Sequence, residues 1–438
     1  MKQIAIIADD LTGASDSGAQ FARKGLQTQV FFDIEQVSKQ EQAMEAIVID
    51  TDSRSVARET AYARVKEAAL PIHQADFPHI YKKMDSTLRG NLGVEIDAVM
   101  DVIPFDFAVV APAFPKIGRT TSQGVHYLNG VPVSETEIAN DPKCPVHESD
   151  LVKLFSSQSK RKVGLIPLDI LRAGKDQVLL NIQALLEAKT ELIVFDATTE
   201  EDVGHIAEWV AQTSYKTLWA GSAGLADFLP SALALPIHSS ESTEQKQTLG
   251  GTKPVMLVAG SISQVTRGQV AAYNREPQVT AVELNTVQAI SSEEGLKAEI
   301  ERCGSELRAA LTDGSDVSLC ASSSPEQVQL TKAAGLQRGL DSTEVSNQIS
   351  HILGEIASEI MQNVELQGVI LTGGDTAKGV CKHLGVSSIQ LIKEIEPGIP
   401  LGLLVRDKPV WAVTKAGAFG NEHSLSKAKK ALKGEVFQ

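Results

Sequence analysis

The chain has little that would staple it, anchor it or draw it to a polyanion. Its four cysteines, Cys144, Cys303, Cys320 and Cys381, are widely scattered, with no Cys-x-x-Cys pair and no Cys/His spacing. That argues against a structural zinc site and a disulfide framework, and predicts reduced thiols in a cytoplasmic protein. No apolar run approaches membrane-spanning length, so no membrane partner is expected. Positive charge is in deficit: 41 Lys and Arg against 55 Asp and Glu give a formal net charge of −14. A general nucleic-acid or anionic-membrane binder would carry the opposite balance. The histidines, His423 included, form no Ser/His/Asp or metal-ligand pattern, and no protein metal site is predicted. Met1-Lys2-Gln3 leads straight into an apolar stretch, which leaves no room for a signal peptide.

What is present is an ordinary globular composition, 42% hydrophobic and 22% charged, in a chain of 438 residues. That length favours two or more domains, each with its own core. Short apolar runs alternate with helical patterns, the α/β signature. Strands are predicted at 4–8, 28–32, 46–50, 80–82, 107–111, 163–166, 192–196 and 217–220, with helices at 13–24, 60–69 and 93–102. The stretch "IHSSESTEQKQTLGGTK" (237–253) is polar and without period, and reads as a linker. Beyond it the pattern restarts with strands at 255–259, 279–284, 317–320, 368–371 and 411–414, and helices at 265–274, within 293–311 and at 376–384. The prediction is two α/β domains with mostly parallel sheets, residues 1–240 and 252–438, and an interdomain active-site cleft. Ligands of such sheets bind beyond the carboxyl ends of the strands.

Unusual residues cluster at those ends. "IAIIADDLTGASDSGAQFA" (4–22) runs a buried strand into Asp9 and Asp10, two carboxylates that are costly to bury unless something cationic or hydroxylated meets them. Helix capping accounts for one of them; a polyol accepted by the Asp9 carboxylate is the alternative use of the other. "IYKKMDSTLRGNLG" (80–93) packs Lys82, Lys83, Asp85, Arg89 and small polar residues between a strand and a helix. Cations near a helix start oppose its dipole, whereas an anion held by cations and backbone N–H groups explains them. The competing account is a solvated charged loop. "DTDSRS" (50–55) ends another strand, and Arg54 is placed to reach the same anion, unless the segment is only an Asx turn.

In the second half, "GVILTGGDTAKG" (368–379) ends a strand in paired glycines and opens a helix. Backbone can approach a phosphate closely there, and the exposed N–H groups and dipole favour an anion. Neither the Walker pattern GxxxxGK[ST] nor GxGxxG is present, which disfavours a dinucleotide; a glycine turn capped by Asp375 is the simpler account. "VAGSIS" (258–263) and "VTKAGAFGNEHS" (413–424) are further small-residue turns at strand ends of the same domain.

Taken in order, "IADDLTGASDSGAQFARKG", "YKKMDSTLRGNLGVEID", "AGS", "LTGGDTA", "EPGIPLG" and "TKAGAFG" resemble the four-carbon acid sugar kinases along essentially the whole chain. That family includes D-threonate, D-erythronate and 3-oxo-tetronate kinases. The resemblance implies an N-terminal acid-sugar domain, a C-terminal nucleotide domain, and ATP-dependent phosphorylation of the terminal hydroxyl of a four-carbon sugar acid. It implies that Asp9, Arg54, Lys82, Lys83, Met84 and Asp85 hold the acid, and that Ser261, Gly373, Gly374, Asp375, Thr376 and Gly417 hold ATP. Mg²⁺ would be carried mainly by the nucleotide. "KKMDST" is closer to the threonate and erythronate kinases, so D-threonate is the expected substrate, with D-erythronate, 3-oxo-tetronate or a catalytically inactive binding regulator as alternatives. Asp375 is the first candidate for accepting the hydroxyl proton and Asp85 the second. Oligomeric state stays open, a homo-oligomer included.

Overall fold

The computed structural model describes residues 2–37, 44–141, 143–236, 249–417 and 419–435. The chain divides into two compact units, Met1–Ser242 and Thr243–Gln438. The stretch read as a linker lies outside the described residues from 237 to 248.

In the first unit the apolar runs form β1 (Ile4–Ala8), β2 (Thr28–Phe31), β3 (Ala46–Asp50), β4 (His79–Lys83) and β5 (Phe107–Ala111). An antiparallel excursion, β6 (Arg119–Ser122), β7 (Val125–Leu128) and β8 (Val131–Pro132), precedes β9 (Val163–Ile166), β10 (Leu192–Phe195) and β11 (Thr217–Gly221). The main sheet runs β2-β3-β1-β4-β11-β5-β10-β9, and every pairing is parallel. β1 and β5 are buried at every position, as expected of parallel strands covered on both faces. Ile7, Ile49, Ile80, Ile96 and Val110 belong to one continuous core.

The strand order places the site. β1 lies between β3 and β4, so the connections leave it in opposite directions; this is the switch point at which open α/β sheets bind ligands. The register aligns Ala8 with Asp50 on one side and Lys83 on the other. Asp9 therefore emerges between the ends of the strands that carry Arg54 and Lys83.

The second unit repeats the device. Its strands are β12 (Val255–Ala259), β13 (Val279–Leu284), β14 (Asp316–Ala321), β15 (Gly368–Thr372), β16 (Ser388–Glu396), β17 (Ile399–Leu404) and β18 (Val410–Lys415). The order β13-β14-β12-β15-β18 is parallel, and β17 and β16 extend it antiparallel. β12 is the switch point here, with Ala259 level with Thr372 and Thr372 level with Lys415. The three small-residue turns thus follow three neighbouring strands at one end of the sheet.

Several boundaries differ from expectation. The helix expected at 60–69 spans Arg58–Ala75 and contains Pro71, the residue that makes the sequence pattern look finished; it stops at Asp76 in the left-handed conformation. The helix after the paired glycines begins at Gly374, with Gly373 as its N-cap, so Asp375 stands in the first turn and does not cap it. β6–β8 and the β16–β17 pair carry no predicted element. Among the described residues, no helix is long and apolar enough to cross a membrane.

Candidate active site

The end of β1 is built around one guanidinium. Arg54 grips Asp9 in a fork, Nε donating to Oδ2 at 2.7 Å and Nη2 to Oδ1 at 3.0 Å. It grips Asp10 as well, with Nη1 to Oδ2 at 2.9 Å and Nη2 to Oδ1 at 2.6 Å. Asp10 also accepts from the Gly13 N–H at 2.8 Å, so it is the N-cap of the helix Leu11–Arg23. Asp9 is fully buried. Burial pushes its carboxyl up, but Arg54, then Lys82 and Lys83, outweigh that and hold it below the ordinary range. Both of its oxygens face Arg54, because a buried carboxylate beside a buried guanidinium loses less by pairing than by waiting for a ligand.

The two lysines of β4 have different fates. Lys82 forms a buried ion pair with Glu95 Oε2 at 2.7 Å, and burial still holds the Glu95 carboxyl above its ordinary range. Lys83 is also buried, yet its Nζ donates to the Met84 carbonyl at 2.9 Å and makes no ion pair among the described residues. A Cβ built on Gly13 would lie 3.0 Å from Lys83 Nζ and 3.6 Å from Arg54 Nη2. A buried ammonium thus sits at the start of a helix, where the dipole is unfavourable to it. An anion between them would resolve the conflict. Met84 is buried, and its N–H is used by the Gly221 carbonyl at 2.8 Å.

Asp85 is held from several sides. Arg89 Nε donates to Oδ2 at 2.8 Å and Nη2 to Oδ1 at 3.2 Å, Thr87 Oγ1 donates to Oδ2, and Arg54 Nη2 stands 3.9 Å from Oδ1. Burial raises its carboxyl, but the Arg89 and Arg54 charges bring it well below the ordinary range. So stabilised an anion is a poor proton acceptor. The next residue is fixed by His126 of β7, fully buried, whose Nε2 lies 2.9 Å from the Ser86 carbonyl and Nδ1 2.9 Å from Thr121 Oγ1. Since a carbonyl only accepts, Nε2 carries the proton and Nδ1 accepts from the hydroxyl. Burial takes this imidazole down to about 4. Glu95 and His126 were not singled out from the sequence. Glu95 sits in an apolar helix, "LGVEIDAVM", where an acidic residue is a signal; His126 has no local signal.

In the second unit the helix Gly374–His383 begins without any side-chain cap. The N–H groups of its first turn therefore point out of the helix without a side-chain cap, the arrangement that an anion completes. Gly373 has φ +101° and ψ 129°, a conformation that a side chain resists. The neighbouring turns close in on it: a Cβ on Gly417 would meet Ser261 Oγ at 2.4 Å, and one on Gly373 would lie 3.8 Å from Ser261 N. Ser263 Oγ and Thr266 Oγ1 donate to the Gly417 carbonyl at 2.6 and 2.7 Å, tying the turns after β12 and β18 together. Under them, Lys415 is buried, taken down to about 8 by that burial, with Nζ donating to the Ala416 and Phe419 carbonyls at 2.6 and 3.2 Å. Thr372 Oγ1 and Thr414 Oγ1 are buried without a hydrogen-bond partner among the described residues. Uncapped amides, a glycine-lined approach and orphaned hydroxyls fit the phosphates of a nucleotide. Ser261, Gly373, Gly374, Asp375, Thr376 and Gly417 all border this cradle, and Asp375 is its exposed carboxylate. Among the described residues no group of three or more His, Cys, Asp or Glu is placed to hold a metal ion.

Comparison with known proteins finds two family models along the chain. A sugar-binding N-terminal domain model matches residues 4–229, and a nucleotide-binding C-terminal domain model matches residues 256–425. The chain is 34% identical to the D-threonate kinase of Salmonella typhimurium over 98% of its length and 97% of the relative's. It is 33% identical to the D-erythronate kinase of Heliobacterium modesticaldum over 96% and 95%. A crystal structure of a Haemophilus influenzae DUF1537-family protein superposes with a TM-score of 0.73 at 25% identity, covering 98% of this chain and 99% of that one. The chain belongs to the four-carbon acid sugar kinase family.

Proposed function

We propose that this protein is an ATP-dependent kinase that phosphorylates the terminal C4 hydroxyl of a four-carbon sugar acid, with D-threonate as the expected substrate. D-erythronate and 3-oxo-tetronate are the alternatives within the family. The observation that carries the reading is that each unit has an unmet demand for an anion at its switch point. In the sugar-binding unit this is the Lys83 ammonium, which makes no ion pair among the described residues and stands at a helix start; in the nucleotide-binding unit it is the helix after Gly373, which begins without a side-chain cap.

The acid binds where Asp9, Arg54, Lys82, Lys83, Met84 and Asp85 meet. Lys83 is the free charge for the substrate, and Asp9 acts by fixing the plane of the Arg54 guanidinium. Lys82 is neutralised by Glu95 and shapes the floor. ATP, carrying Mg²⁺, supplies the phosphoryl group and a metal that offsets its charge. The N–H groups of Gly374 to Thr376 bind its phosphates, Gly373 and Gly417 let the backbone approach, and Ser261 borders the same cradle. Asp375, exposed in that first turn, accepts the proton of the C4 hydroxyl. Asp85 stays ionised and holds Arg89 and Arg54 in place. Phosphoryl transfer asks the protein mainly for such positioning and charge placement.

The test is ADP release from ATP with D-threonate, D-erythronate and 3-oxo-tetronate, each with and without Mg²⁺. Release that needs both one of these acids and the metal is the expected result. Release that none of the acids stimulates would overturn the reading.

A further inference from the structure

Most cations around the acid site are already spent. Arg54 is committed to Asp9 and Asp10, Arg89 to Asp85 and Asp141, and Lys82 to Glu95. One more guanidinium comes from outside the main sheet, on the antiparallel excursion: Arg119, the first residue of β6.

Its setting is that of a cation awaiting a ligand. Arg119 pairs with no carboxylate among the described residues, its Nη1 donates to the Ile117 carbonyl, and its Nε is buried with no acceptor. β6 is carried to the acid site by the Thr121–His126–Ser86 chain, which ties β6 and β7 to the loop of Asp85. Burial depresses the basicity of the Arg119 guanidinium, which lies within the electrostatic reach of Asp85, Arg89 and Glu137. A guanidinium that is desolvated without a direct ion pair costs free energy. A planar carboxylate is the partner that its fork matches.

We infer that Arg119 binds the carboxylate of the sugar acid and so selects acids over uncharged polyols of the same length. The inference rests on the proposed function for the identity of the ligand. It adds a residue from the excursion β6–β8 to a site otherwise built at the strand ends, and it gives that excursion a task. The competing role for Arg119 is structural, holding the Ile117 carbonyl of the turn Pro115–Ile117.

The experiment is calorimetric titration of D-threonate and D-erythronate, without nucleotide, into the full-length protein and into Arg119→Gln and Arg119→Lys. Loss of a charge-assisted hydrogen bond predicts that Arg119→Gln weakens acid binding by about tenfold or more. Arg119→Lys, which keeps the charge and gives up the fork, should fall between it and the parent. Kd for ATP, titrated separately, should stay within about twofold, which sets the expected effect apart from general damage to the fold. Acid affinity equal to that of the parent in both variants would overturn the inference. So would equal losses for acid and ATP. If Arg119→Gln fails to fold, the acid-against-ATP comparison in Arg119→Lys decides alone. A parent protein that binds the acid, and loses it on substitution, but never phosphorylates it would instead remove the kinase reading and leave Arg119 as a carboxylate ligand.

Discussion

Arg54 and Asp9 meet as a two-pronged pair, Nε to Oδ2 at 2.7 Å and Nη2 to Oδ1 at 3.0 Å, with Asp9 wholly out of solvent. Truncating Arg54 takes away the direct partner of that buried carboxylate and leaves it only the more distant charges of Lys82 and Lys83. Breaking one partner of a buried pair typically costs about 3–5 kcal/mol. Arg54→Ala should therefore lower the urea midpoint of the first unit as well as acid affinity. Arg54→Lys should recover little, because an ammonium lacks the fork. An Arg54→Ala protein as stable as its parent would contradict the pairing.

Gly373 offers a test confined to the second unit. With φ +101° and ψ 129° it occupies a backbone region closed to side chains, at a strain of about 1–3 kcal/mol. Gly373→Ala should raise KM for ATP by about tenfold and leave the Kd of the acid unchanged. Steady-state titration of ATP, beside calorimetry of the acid, checks both halves.

His126 predicts a pH dependence. An unfolded histidine takes its proton near 6.5, and the buried ring only near 4. Between those values the unfolded chain binds more protons, so stability falls as pH drops from 6.5 towards 4. The full window is worth about 3 kcal/mol at roughly 1.4 kcal/mol per pH unit. Denaturant titrations at pH 6.5, 5.5 and 4.5 should show this slope, and His126→Asn should flatten it. An equal slope in the variant would assign the acid sensitivity to other groups.

Much of this architecture was readable in the sequence. β1, β3, β5 and β12 appear as apolar runs with the same bounds, because strands buried on both faces cannot alternate, and the edge strands β9 and β13 keep their bounds although they are only partly buried. The acid-site residues were readable as types: two carboxylates, then an Arg, then a Lys pair, each at a strand end. Their pairing was not, since Arg54 is separated from Asp9 by a whole βαβ unit and only the register of β1 with β3 makes them neighbours. Arg119 left no signal at all. Its segment, "RTTS", is short, polar and between turns, and it matters only because His126 ties that excursion to Ser86. The end of the first long helix was misplaced because Pro71 is accommodated inside it.

The two candidate proton acceptors separate by environment. Asp85 is held well below the carboxylate range by Arg89 and Arg54 against the effect of burial, whereas Asp375 is exposed in the first turn of its helix. Asp375→Asn should lower kcat by about 10²–10⁴-fold, the usual contribution of a general base, and leave KM for ATP little changed. Asp85→Asn should act mainly on acid affinity. The reverse pattern in kcat would move the base to the first unit.

The account rests most directly on where the phosphate goes. Proton-coupled ³¹P NMR of the product formed from ATP and D-threonate reads the attachment carbon, since a phosphate on the terminal CH₂ couples to two neighbouring protons and one on C2 or C3 to a single proton. The account predicts the two-proton pattern in a product formed one-for-one with ADP. A one-proton pattern, or inorganic phosphate as the only phosphorus product besides ADP, would contradict it.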